Sequence, residues 1–419
     1  MPELTVEQDP ATVGVDAARL ARADAVLDGY VDAGRLPGYV LVVARRGSVV
    51  HVGAGGRRNV EEGLPATPDT LWRIYSMTKP VTSVAAMMLY EAGGLDLNDP
   101  VSRYLPAFAD MRVFTGGTDL RPATVPATEP VRVWHLLTHT AGLTYGFARM
   151  HPVDAMLRAQ GYEWGAPPDT DLAAAVDTWA SLPLLFEPGT RWNYSYCTDV
   201  LGRLVEVVSG QSLDTFFAER ILRPLGMNET AFYAGSPEHP DGAGGTGGLD
   251  RLARLYLATG AGMAPGDSLG RAVHAPPTML SGGGGLVSTA HDYHRFTQFL
   301  LRRGELDGVR LLGPRTVDYM ARNHLPGGAD LDAFGTPVFS ESPMRGIGFG
   351  LGFAVVEDPA AQKNLSTKGE FNWGGAASTA FWVDPAEELT VVLMTQLLPS
   401  STLPLRPQLR RAVYSSLVD

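Results

Sequence analysis

Two pairs of short apolar runs stand at opposite ends of this 419-residue chain, and they constrain its fold more than any other feature. Tyr39-Val40-Leu41-Val42-Val43-Ala44 and Val49-Val50-His51-Val52 are separated by a turn signal at Arg46-Gly47. Ala380-Phe381-Trp382-Val383 and Thr390-Val391-Val392-Leu393-Met394 flank Asp384-Pro385-Ala386-Glu387-Glu388. Runs of this composition bounded by turn residues predict two hairpins. With a helix-rich middle between them, they predict an α+β fold in which the two ends of the chain share one antiparallel sheet covered by helices. Residues 16–34, where Leu20, Ala23, Leu27 and Tyr30 recur near helical spacing, and a stretch from about Pro407 to Leu417 predict two covering helices. Gly/Pro-rich stretches at 114–130, 161–170, 234–249 and 324–338 predict long loops, a class often functional. Ser281-Gly282-Gly283-Gly284-Gly285 reads as a tight passage of backbone and not a phosphate cradle, because no Lys-Ser/Thr pair follows.

Composition narrows the partners. The formal net charge is −11 with no dense Lys/Arg cluster, which argues against nucleic acid, whose binders need a positive face. Cys197 is the single cysteine, so no intramolecular disulfide is expected. The acidic start, Met1-Pro2-Glu3-Leu4-Thr5-Val6-Glu7, lacks the apolar run of a secretory signal. The run Val84-Ala85-Ala86-Met87-Met88-Leu89 is too short to span a bilayer. A cytoplasmic protein without membrane contact, acting on a small molecule, is expected.

The strongest local signal is Arg73-Ile74-Tyr75-Ser76-Met77-Thr78-Lys79-Pro80-Val81. Val81, Val84, Ala85, Met88 and Leu89 then fall on one helical face that ends at Gly93-Gly94. Proline is tolerated only near a helix start, so Ser76 belongs at or just before the first turn. Residues three apart share a face, which sets the Ser76 hydroxyl beside the Lys79 amine. A serine is a poor nucleophile until a neighbouring base takes its proton. An arginine cannot serve as that base. The chain's basic residues are almost all arginine, its lysines being Lys79, Lys363 and Lys368, which singles out position 79. On the tetrapeptide alone, a surface Ser and Lys at a helix start is an equal reading.

Companion motifs decide between them. Pro188-Gly189-Thr190-Arg191-Trp192-Asn193-Tyr194-Ser195-Tyr196 leads into an apolar helix start, and Asn372-Trp373-Gly374-Gly375-Ala376-Ala377 precedes the strand Ala380–Val383. Ser-x-x-Lys, then Tyr-Ser-x, then a Gly-rich strand start, in that order, resembles the serine β-lactamase and penicillin-binding-protein superfamily. The match looks nearest to family VIII carboxylesterases and related acyltransferases. His135-Leu136-Leu137-Thr138-His139-Thr140-Ala141-Gly142-Leu143, Pro224-Leu225-Gly226-Met227 and Trp382-Val383-Asp384-Pro385 agree with it, and the resemblance covers roughly residues 14–400.

The resemblance implies a β-lactamase-like fold: a split sheet domain of residues 1–95 and 201–419, a mostly helical domain of 96–200, and an active site between them. It implies Ser76 as nucleophile, Lys79 as base and Tyr194 as proton relay. The backbone N–H groups of Ser76 and Ala376 would form an oxyanion hole, and Trp373, Gly374 and Gly375 would take the place of the Lys-Thr-Gly strand. Two departures matter. Tyr196 stands where many relatives carry asparagine, and Trp373 where lactamases and peptidases carry lysine, which favours an ester in a more apolar pocket. Lys368, close upstream, is less well spaced than Trp373 from the Trp382–Pro385 strand. Tyr145 and Phe147, just after the Gly142-Leu143 loop, are further candidates for lining the acyl pocket.

The remaining candidates read more simply as structure. His135 and His139 have the spacing of a helical zinc pair but no glutamate follows His135, so no metal is expected, and none is expected of His291 and His294. Cys197 reads as a small buried residue and Trp192 as core. The function expected is a serine carboxylesterase of short-chain or small esters, working through an acyl-enzyme without metal or organic cofactor. The alternatives are an acyltransferase to a specific alcohol or amine, a β-lactamase or D-amino-acid peptidase, and, from another class, an inactive binding protein. Intact Ser76, Lys79 and Tyr194 argue against the last.

Overall fold

The computed structural model describes residues 4–235, 246–260, 262–270, 273–335 and 344–419. Its main sheet has eight strands: β1 (Gly38–Arg45), β2 (Ser48–Asn59), β3 (Leu64–Pro65), β4 (Ile347–Phe349), β5 (Ala354–Val356), β6 (Phe371–Gly374), β7 (Ala380–Asp384) and β8 (Leu389–Thr395). The spatial order is β4-β5-β6-β7-β8-β1-β2-β3, and every neighbouring pair is antiparallel. The two expected hairpins meet where β1 pairs with β8, Val42 opposite Val392, so the ends of the chain do share one sheet.

Helices cover both faces. The principal ones are α1 (Arg22–Asp32), α2 (Thr78–Glu91), α3 (Val133–Leu137), α4 (Pro152–Ala159), α5 (Leu172–Ala180), α6 (Cys197–Ser209), α7 (Ala290–Leu301) and α8 (Leu405–Tyr414). Successive strand residues point to opposite faces. Tyr39, Leu41 and Val43 of β1 accordingly enter a core with Leu27 of α1 and Leu409 and Val413 of α8. Val40, Val42 and Ala44 enter the larger core with Phe296 and Phe299 of α7 and the apolar residues of α2. A strand covered on both faces carries a continuous apolar run, and all eight residues of β1 are buried. Helix α8 is also pinned by polar contacts. Arg410 donates to the fully buried Glu370 carboxylate at 2.7 Å, and the Tyr414 hydroxyl bonds Glu370 at 2.7 Å and Asp384 at 2.6 Å.

Local expectations were corrected in places. The first helix is broken after Leu20 into Ala17–Leu20 and α1, and the last begins at Leu405 and ends at Tyr414. The stretch 114–130, read as loop, contains most of a hairpin of Arg112–Gly117 and Pro122–Pro126. Its strands are mostly exposed and rich in Gly, Pro and Thr, so they carry little apolar alternation. Residues 236–245 and 336–338, which belong to two of the other expected loops, lie outside the described residues.

Helix α2 is the element that places the chemistry. Its residues Thr78–Met87 are all buried, apolar and polar faces alike, as in a helix enclosed by its neighbours. Helix α6 packs along it, and the strand end Gly374-Gly375 closes on its N-terminal side. No helix among the described residues is long and apolar enough to cross a membrane.

Candidate active site

Ser76 sits in a single 3-10 turn, Tyr75–Met77, that feeds directly into α2. Tyr75 before it has φ 45°, in the left-handed region that non-glycine residues seldom occupy. Such a conformation costs of order 1–3 kcal/mol and persists where the surroundings enforce it. Here Tyr293 of α7 donates to the Met77 carbonyl at 2.8 Å, and Gly375 is packed onto Ile74 so closely that a Cβ there would lie 2.4 Å from the Ile74 carbonyl oxygen.

Lys79, one turn into α2, is 1% exposed, and its Nζ lies 3.2 Å from Ser76 Oγ. Tyr194 arrives from the loop before α6, and its hydroxyl donates to Ser76 Oγ at 2.6 Å. Lys79 Nζ also stands 4.6 Å from the centre of the Tyr194 ring. Two side chains, one from the same helix start and one from 118 residues away, thus converge on the Ser76 oxygen. The strand residue Trp373 joins them, with its indole Nε1 3.4 Å from the Tyr194 hydroxyl. Sequence reasoning cast Trp373 as a substrate-binding residue of the strand, whereas its N–H also reaches the Tyr194 hydroxyl.

Direct and relayed hydrogen bonds hold the amine. Lys79 Nζ donates to the Gly283 carbonyl at 2.7 Å, and the Gly283 N–H donates to Asp199 Oδ1 at 3.0 Å. Ser281 Oγ donates to the same Asp199 oxygen at 2.5 Å, and Thr82 of α2 donates to the Gly282 carbonyl at 2.6 Å. The glycine run is therefore a tight passage, as its sequence suggests, and also a ligand of the lysine. A Cβ on Gly283 would lie 2.3 Å from Asp199 Oδ2, so the approach requires glycine. Asp199 was missed in the sequence because its partners lie 82 and 84 residues away. Burial pushes its carboxyl above the ordinary range, and the nearby Lys79 and the bonds from Ser281 and Gly283 pull it back.

The other candidates fall into place around this centre. Ser76, Ala376, Trp373, Gly374, Gly375, Tyr194, Tyr196, Tyr145 and Phe147 all border one open cavity of about 600 Å³. Trp164, from the expected loop 161–170, borders it too and carried no sequence signal beyond that loop. Tyr196 stacks on Trp179 at 4.1 Å, and its hydroxyl donates to the Tyr162 carbonyl at 3.4 Å. Trp192 is core. His139 lies buried behind Tyr194, with ring centres 5.0 Å apart, and burial followed by the Lys79 charge holds its pKa well below the ordinary value. His135 accepts the Arg132 N–H at 3.0 Å as a helix cap. Burial pushes the Cys197 thiol up to about 12, which leaves it protonated and unreactive. Lys368 is exposed and pairs with Glu357 at 3.3 Å, away from the strand position.

An arrangement of this kind can activate a serine, pass its proton and receive a carbonyl compound, which is the equipment of acyl transfer. Comparison with known proteins agrees with that chemistry. The chain is 34% identical over 419 residues to Esterase EstB of Burkholderia gladioli, covering 97% of this chain and 98% of that one. It is 37% identical over 372 residues to Protein Rv1367c of Mycobacterium tuberculosis, covering 88% of each. Among solved structures, one described as EstCE1, a hydrolase with promiscuous acyltransferase activity, superposes with a TM-score of 0.78 at 29% identity, covering 95% of this chain and 99% of that one. Residues 23–415 match the family described as Beta-lactamase, and the chain belongs to that family, within the serine β-lactamase and penicillin-binding-protein superfamily.

Proposed function

We propose that this protein is a serine carboxylesterase, of the family VIII type, that cleaves esters with a small acyl group through an acyl-enzyme on Ser76. The observation that carries the reading is the convergence of Lys79 Nζ and the Tyr194 hydroxyl on Ser76 Oγ, at 3.2 and 2.6 Å, on the border of an open cavity. The likeness to an esterase over nearly the whole chain supports it. The same reading places the cleft between a sheet-bearing unit, residues 1–95 and 201–419, and a mostly helical one, 96–200. It is supported by a cavity wall drawn from both, Tyr145, Phe147 and Trp164 facing Ser76 and the strand residues Trp373–Ala376.

Lys79 in its neutral form takes the Ser76 proton as Oγ bonds to the ester carbonyl carbon. Serine hydroxyl hydrogens rotate to suit, so the 3.2 Å line between the two atoms can carry the proton towards Nζ. The carbonyl oxygen, now an oxyanion, is received by the backbone N–H groups of Ser76 and Ala376, an interaction whose loss costs other enzymes about 3–4 kcal/mol of barrier per donor. The Tyr194 phenol gives its proton to the leaving alcohol oxygen as the C–O bond breaks, and Lys79 returns a proton to Tyr194. Water then enters, gives its proton to Lys79 as its oxygen bonds to the acyl carbon, and the bond to Ser76 Oγ breaks as that proton returns to Oγ, which releases the acid and restores the serine.

One observation favours a second reading. The cavity is far larger than a water molecule needs and its wall is largely aromatic and aliphatic, so an alcohol could replace water as acceptor and make the protein an acyltransferase. Mass spectrometry after treatment with a p-nitrophenyl phosphonate probe tests the shared core of both readings. Label on Ser76 is expected; label elsewhere, or none, overturns them. Product analysis of p-nitrophenyl butyrate turnover with and without added alcohol then separates hydrolysis from transfer.

A further inference from the structure

Three aromatic rings climb from the catalytic centre to the cavity mouth. Tyr145 meets the Tyr194 ring edge to face at 5.3 Å. Phe147 stacks on Tyr145 at 4.5 Å with 20° between the planes, and Trp164 stacks on Phe147 at 4.8 Å, again with 20° between planes. Exposure rises along the series. Tyr145 is 6% exposed, Phe147 is partly buried, and Trp164 at the outer end is 50% exposed. The half-exposed Trp164 also borders the cavity. A ring with one face stacked and surface to spare is suited to take another ring at 4.5–7 Å.

Resting on the function proposed above, we propose that the Tyr145–Phe147–Trp164 ladder is the subsite for the alcohol half of the substrate, and that this half carries a flat aromatic or conjugated ring. The side of the cleft follows from the chemistry. The group that protonates the leaving oxygen must lie beside the alcohol, that group is Tyr194, and the ladder is built on Tyr194. By microscopic reversibility an acceptor alcohol would use the same subsite. Size agrees: about 600 Å³ is in the range that encloses a molecule of several rings, and much exceeds a simple alkyl ester.

The test uses matched esters with leaving alcohols of similar acidity, 2-(2-naphthyl)ethyl and 2-(decahydronaphthyl)ethyl butanoate, with methyl butanoate as reference. Wild-type kcat/KM should favour the naphthyl ester over its saturated counterpart by roughly threefold to tenfold, through KM, as expected for one ring-stacking contact. Trp164→Leu, which keeps apolar bulk and loses the ring, should abolish that preference, read as the ratio of kcat/KM for the two bicyclic esters within each protein. Calorimetry of 2-(2-naphthyl)ethanol with the same two proteins provides a readout independent of turnover, and its Kd should weaken by a similar factor in Trp164→Leu. Equal kcat/KM for the two bicyclic esters, or a preference and Kd retained by Trp164→Leu, would overturn the assignment. Failure of the underlying esterase reading looks different: methyl butanoate would then be untouched, or hydrolysed equally by Ser76→Ala.

Discussion

Lys79 and Asp199 are linked through a single residue, Gly283, whose carbonyl accepts from Lys79 Nζ at 2.7 Å and whose N–H donates to Asp199 Oδ1 at 3.0 Å. The buried Lys79 amine and Asp199 carboxyl thus share one piece of backbone, and the amine is held by a carbonyl, which is not a base and does not compete with it for the Ser76 proton. Gly283→Ala tests the linkage. The added Cβ must push Asp199 Oδ2 away from 2.3 Å, and the loop will give way with it. A misplacement of about 1 Å at a reacting group can cost roughly a hundredfold in rate. The expected result is a fall of that order in kcat for p-nitrophenyl butyrate with folding retained by circular dichroism. Near-native kcat would show that the carbonyl contact is dispensable.

The three groups on Ser76 Oγ should respond differently to replacement. Ser76→Ala should abolish turnover and preserve the fold. Lys79→Arg should be nearly as damaging as Lys79→Ala, because arginine keeps the charge but cannot accept a proton. Tyr194→Phe removes the hydroxyl that donates to Ser76 and faces Trp373 Nε1, and a loss of roughly 10²–10⁴ in kcat is expected of a general acid. An arginine variant with near-native rates would make Lys79 an electrostatic group and not the base.

Much of this centre was legible in the sequence, and the reason is locality. The helix start, the three-residue spacing of Ser76 and Lys79 and the proline after them are decided within one turn. The sheet was legible because both faces of β1 and β8 are buried and their central runs, Tyr39–Ala44 and Val391–Met394, are apolar without interruption. The Asp199–Gly283–Lys79 linkage was not, since it depends on a loop and two helices meeting across 84 and 204 residues. Nor was the place of Trp164, whose loop shows only Gly and Pro; its meaning comes from the ring of Phe147 beneath it.

Burial also sets an acid limit on the fold. His294 of α7 is held at a pKa of about 4 by desolvation first and then by His291, Arg295 and Arg302, and His135 is held at about 4 by desolvation and then Arg132. Unfolded histidine titrates near 6.5. The unfolded chain therefore binds more protons than the folded one between these values, and stability falls as pH drops from about 6.5 towards 4. Above about 6.5 neither group contributes a pH dependence. His294→Leu removes one of these protons and a buried Nδ1 that lacks a hydrogen-bond partner. Urea unfolding should show a shallower loss of stability between pH 6.5 and 4 in the variant than in the wild type. Parallel curves would place the acid sensitivity elsewhere.

The last prediction separates esters from β-lactams. Nucleophile and oxyanion donors are general acyl-transfer equipment, so Ser76 should be able to open a lactam ring. Deacylation is the harder half. After ester cleavage the alcohol departs and leaves room for water, whereas the opened lactam stays tethered in the cleft. A lactamase must hold that adduct and its water by polar side chains. At the two positions concerned this chain has Tyr196, stacked on Trp179 with its hydroxyl turned to the Tyr162 carbonyl, and Trp373, whose only donor points to the Tyr194 hydroxyl. Neither presents a lysine ammonium or an asparagine amide to the substrate. On one preparation, kcat/KM for p-nitrophenyl butyrate should exceed that for a chromogenic cephalosporin by far more than tenfold, a gap of at least about 1.4 kcal/mol in transition-state binding. A burst of cephalosporin opening stoichiometric with enzyme, followed by slow turnover, is expected if deacylation is the step that fails. Equal or greater efficiency on the cephalosporin would overturn the esterase reading and make the protein a β-lactamase in function.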